Sequence, residues 1–61
     1  MLPPSFQNTL LALEEKLRRI QTLDRTVRQA ATLEEETVAY RMAEQLAEAC
    51  EQAVLLARSL P

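Results

Sequence analysis

The sequence predicts an all-α fold, an antiparallel two-helix hairpin completed by an oligomeric or partner interface. Three observations predict it. The 61 residues include no glycine and only two aromatics, Phe6 and Tyr40, while Ala, Leu, Glu, Gln and Arg dominate. That is a helix-forming alphabet with almost no turn or strand vocabulary. Apolar residues recur at alternating spacings of three and four in both halves of the chain, the period of a single helix face. Between the halves, Thr32-Leu33-Glu34-Glu35 reads as a helix start. Thr32 takes the N-cap and Glu35 the N3 position of a capping box.

Taken in order, Met1 to Pro4 is an extended lead and Ser5 is the expected N-cap of helix 1, which runs from about 5 to 31. Its apolar face comprises Phe6, Leu10, Leu13, Leu17, Ile20, Val27 and Ala31. Asp24 interrupts this face between Ile20 and Val27 and can pair with Arg28 one turn on. A break near Thr22-Leu23-Asp24 is allowed, because Leu23 lies off the face and Asp24 on it. Helix 2 is expected from about 33 to 59. Glu34, Glu35 and Glu36 then occupy its first turn, where the helix dipole favours negative charge, and Pro61 stops it. Its face is Met42, Leu46, Ala49, Ala53, Leu56 and Leu60. The competing arrangement is one uninterrupted helix, since Ala30 and Ala31 are good helix formers; it would leave both apolar faces exposed unless paired in a coiled coil. Charge favours the hairpin. Met1–Ala31 carries five basic and three acidic residues, Thr32–Pro61 six acidic and two basic.

Composition narrows the function classes. A chain this short buries only about 60% of its unfolded surface, and small cores are usually completed by disulfides, metals or oligomerisation. Cys50 is the single cysteine and histidine is absent, so there is no disulfide framework, no zinc ligand set and no imidazole proton shuttle. Without glycine there is no phosphate-cradling loop. No catalytic, cofactor-binding or metal-binding residues are assigned, and the chain is not expected to be an enzyme. Glu44, Glu48 and Glu51 share an outer face that reads as solvated. The net charge is −2 and the helix 1 cations point in several directions, which argues against nucleic acid as a partner. No run of 18 apolar residues suggests a membrane span, and no basic segment before an apolar run suggests a signal peptide. A cytoplasmic location is expected.

The apolar sector of helix 2 is wider than one antiparallel neighbour covers. Beside the main face stand Tyr40, Ala43, Ala47, Cys50 and Val54, where small side chains let another helix approach closely. These five are the candidate partner-binding residues. Cys50 reads as a small packing residue, and Tyr40 fits a core or an interface equally well.

With those residues in hand, the chain resembles the small E-type co-chaperones of bacterial type III secretion. Tyr40 is followed by Gln45 and then by Ala47, Ala49, Glu51 and Ala53, within the run Ala49-Cys50-Glu51-Gln52-Ala53. The match covers roughly a third of the chain. It departs before the tyrosine, where that family tends to have Gly or Pro and this chain has Glu34-Glu35-Glu36. The resemblance implies a non-catalytic accessory subunit that, with a larger helical chaperone, keeps a needle subunit monomeric. A second resemblance is to the small subunit of exodeoxyribonuclease VII, on Leu33-Glu34-Glu35, Tyr40, Leu46-Ala47 and Cys50-Glu51. It implies a helical subunit of a nuclease. The remaining alternative is a homodimeric four-helix bundle.

Overall fold

Two helices, α1 (Pro4–Thr32) and α2 (Glu36–Arg58), form an antiparallel hairpin in the computed structural model, which describes residues 1–60. The one-helix alternative is excluded. Lys16 Nζ of α1 donates to Gln52 Oε1 of α2 at 2.7 Å, a contact only a folded-back chain can make. The stop expected at Pro61 lies outside the described residues.

The N-cap of α1 lies two residues earlier than the expected Ser5. Pro3 stands at the N-cap in extended backbone, with Pro in the first turn and no side-chain cap bond. Its carbonyl accepts the Phe6 N–H at 3.0 Å. Proline at the first helical position sacrifices no hydrogen bond and has the helical φ already set. Ser5 therefore lies inside the helix. No break occurs at Thr22-Leu23-Asp24. The Thr22 and Thr26 hydroxyls bond back to the carbonyls of Arg18 and Thr22, at 3.1 and 3.0 Å, so these side chains are satisfied along the helix.

The corner differs from the expected capping box. Thr32 is the last residue of α1, and its hydroxyl donates back to the Arg28 carbonyl at 2.9 Å. Leu33 is the C-cap and Glu34 takes the left-handed conformation, φ 58°. The Glu35 N–H then reaches the Ala30 carbonyl at 2.9 Å and the Glu34 N–H reaches Ala31 at 3.1 Å. This is the Schellman pattern, normally built on glycine. α2 begins at Glu36, not Leu33, with Glu35 at its N-cap and no side-chain cap. Glu36 alone of the three glutamates lies in the first turn of α2. Once α1's last carbonyls capture the Glu34 and Glu35 amides, Thr32 cannot also start the next helix.

The seam follows a heptad on both helices. On α1 the buried or half-buried positions Phe6, Thr9, Leu13, Lys16, Ile20, Leu23, Val27 and Ala30 are spaced alternately three and four apart. On α2 the row is Ala39, Met42, Leu46, Ala49, Ala53 and Leu56, continued just past the helix end by half-buried Leu60. A mean spacing of 3.5 is that of helices in a left-handed supercoil. The α2 row contains all six residues of the face expected from sequence. The α1 row corrects the expected one. Leu13, Ile20 and Val27 belong to two overlapping heptads, one flanked by Leu10, Leu17, Asp24 and Ala31, the other by Thr9, Lys16, Leu23 and Ala30. From Lys16 onward the hairpin closes on the second flank; before it Leu10, as expected, is half-buried together with Thr9, whereas Leu17 and Ala31 are exposed. Leu23 is 7% exposed, whereas Leu17 is 47% exposed. The choice places Leu23 inward and keeps Asp24 toward water, avoiding the several kcal/mol that burying an unpaired carboxylate costs. Lys16 tolerates the seam because its stem lies along it while its ammonium reaches Gln52 at the rim.

The hairpin is a ribbon one helix thick, with Cα extents of 50 × 14 × 9 Å. Among the described residues only Leu23, Ala30, Ala49 and Ala53 are buried, and three of the four are alanine. The accessible surface is 4898 Å², against about 4,000 Å² for a globular monomer of this mass.

Candidate functional site

α2 has three longitudinal strips. Its seam row faces α1. On one side stand Gln45, Glu48 and Gln52, which with Lys16, Arg19 and Ala49 line a polar groove between the helices. On the other side runs the sector of Tyr40, Ala43, Ala47, Cys50 and Val54. These residues recur at i, i+3 and i+4, so they share one edge of the helix. The Lys16–Gln52 bond holds the polar side. Nothing in the hairpin covers the apolar side.

The five candidate residues all lie on this uncovered edge. Tyr40 is 67% and Val54 49% exposed; Ala47 and Cys50 are exposed and Ala43 half-buried. Cys50 makes no packing contact within the seam of the hairpin. It sits about one helical position outside the seam, with its thiol free and exposed. Tyr40 likewise contributes nothing to the core of the hairpin.

The edge ends in two depressions. At the corner, Val27, Ala31, Glu34, Glu36, Ala39, Tyr40 and Ala43 line an open, mostly apolar cleft of about 620 Å³. Toward the other end, Cys50, Glu51, Val54, Leu55 and Arg58 line a shallower apolar one. Leu55, 61% exposed, is a functional candidate missed from sequence: it lies off the Tyr40–Val54 row and shows only through this shared concavity. Beside the corner, Arg28 Nε bonds both carboxylate oxygens of Asp24, at 3.2 and 3.1 Å. This is the pair anticipated for Asp24, and both side chains are well exposed. No other ion pair occurs among the described residues, so the opposite charges of the two helices act without a direct bridge.

The arrangement presents an uncovered apolar edge running between two depressions. No three His, Cys, Asp or Glu side chains among the described residues stand close enough to hold a metal ion. No helix of the described residues is long and apolar enough to cross a membrane. Compared with known protein families, curated proteins and solved structures, the chain matches none.

Proposed function

We propose that the chain is a non-catalytic accessory subunit whose α2 edge receives a helix of a protein partner. The carrying observation is the uncovered apolar edge from Tyr40 to Val54, opposite a polar groove. An apolar patch anchored by an aromatic residue and bounded by a polar rim is the usual anatomy of a protein interface, and the small side chains beside Tyr40 let a partner helix approach closely. The resemblance along Tyr40, Gln45, Ala47, Ala49, Glu51 and Ala53 makes a larger helical chaperone of a type III secretion needle subunit the first partner to test. A cytoplasmic setting follows from that reading. A nuclease small subunit is the competing assignment.

Capture of the tagged chain's partners from its native cells, read by mass spectrometry, tests the assignment. A tetratricopeptide-like chaperone together with a small needle protein supports the co-chaperone reading, and a large nuclease subunit supports the competitor. Ala47→Glu places a charge at the centre of the edge and should abolish capture while leaving helix content intact. Native-level capture by that variant refutes the edge as the interface.

A further inference from the structure

We infer that in the free chain the α2 edge is covered by a second copy of itself, packed antiparallel, giving a two-fold-symmetric four-helix assembly. The inference builds on the reading of this edge as an interface and names its occupant.

Area is the first argument. The chain exposes 4898 Å², about 900 Å² more than a globular monomer of its mass. A standard stable interface removes about 800 Å² from each partner. One self-association would therefore bring this ribbon to ordinary surface proportions.

Self-complementarity is the second. A two-fold axis makes residue i of one copy meet residue j of the other and j meet i. Centring it between Ala47 and Cys50 sets Ala47 against Cys50, Ala43 against Val54 and Tyr40 against Ala57. Small residues thus meet at the axis, where backbones must come within about 8–10 Å. Exposed Tyr40 lands near the depression lined by Cys50, Val54, Leu55 and Arg58, a knob set against a hole. Its ring can also stack under the Arg58 guanidinium.

Charge is the third. α2 has Glu36 in its first turn and Arg58 in its last. Antiparallel pairing brings each Glu36 toward the other copy's Arg58, whereas parallel pairing would set like charges together.

Sedimentation equilibrium of the whole chain across micromolar concentrations tests the inference without any partner. A species of twice the 6.9 kDa chain mass is expected. Tyr40→Ala should raise the dissociation constant at least tenfold, and Ala47→Glu should give monomers with helix content retained. Gln29→Glu, on the outer face of α1, should leave the dimer unchanged. Register is read by disulfide trapping in a Cys50→Ala background. A mixture of the Ala43→Cys and Val54→Cys variants should form a mixed disulfide under oxidised glutathione, and neither variant should cross-link alone. A chain that stays monomeric at all concentrations overturns the inference, as does a dimer indifferent to both Tyr40→Ala and Ala47→Glu. Self-cross-linking of Ala43→Cys overturns the antiparallel register. A monomer that still captures a partner through Ala47 would remove the second copy and leave the proposed function standing.

Discussion

Glu34→Gly isolates the corner on which the hairpin depends. Glu34 has φ 58°, a conformation that costs an L-residue with a Cβ roughly 1–2 kcal/mol and costs glycine almost nothing. Glycine also loosens the unfolded chain, which returns about 0.4–1 kcal/mol of the gain. The two amide bonds of the turn, Glu35 to Ala30 and Glu34 to Ala31, involve backbone only and survive the change. The net expectation is stabilisation by about 0.5–1 kcal/mol. For a domain of this size that is an upward shift in Tm of roughly 2–8 °C. Far-UV circular dichroism melts at one fixed protein concentration measure it, the concentration being held because association shifts Tm. Were the segment continuous helix, the same glycine would cost about 0.5–1 kcal/mol. A lowered Tm therefore refutes the left-handed corner.

Other substitutions report on the seam. Leu23→Ala should destabilise by roughly 2–3 kcal/mol, the low end for a buried leucine because a thin ribbon can relax around the gap. Leu17→Ala, at a half-exposed site, should cost less than about 1 kcal/mol; urea unfolding compares the two, and an inverted order refutes the α1 register. Thr32→Ala should be neutral or stabilising by up to about 0.5 kcal/mol, since Thr32 is helical and alanine is the better helix former; a loss of about 1 kcal/mol in the same urea series would restore it as a cap. Asp24→Leu removes only an exposed i,i+4 pair and should shift stability by less than about 0.5 kcal/mol, with assembly unchanged by light scattering.

How much of this was legible in sequence differs between the helices. On α2 the larger side chains Met42, Leu46 and Leu56, with Leu60 just past its end, fall on one row. The parallel Tyr40–Val54 row is mostly small residues, so the seam could be read directly. α1 carries two heptads that share Leu13, Ile20 and Val27. Choosing by hydrophobicity favours Leu17 over Lys16, and only the competing demand to expose Asp24 and bury Leu23 tips the balance. That trade is a property of packing two helices, not of one helix's periodicity. The corner was hidden for a different reason. A Schellman turn is usually announced by glycine, and here Glu34 fills the left-handed position, while Thr32 and Glu35 imitate a capping box they do not form. The five edge residues were legible because they repeat at three and four alongside the assigned seam, as one helix face does. Leu55 and the depression it lines needed the three-dimensional surface.

Cys50 offers the most direct measurement of whether the α2 edge is an interface. It is the only cysteine, its thiol is exposed in the isolated hairpin, and it lies at the middle of the edge. Its reaction rate with a maleimide can therefore be followed without altering the protein. Labelling should be fast in dilute monomeric chain and in Ala47→Glu at every concentration. It should slow severalfold as wild-type chain is concentrated or loaded with a captured partner. A rate for wild type that stays at the dilute value while the mass of the complex rises would show that association uses another surface.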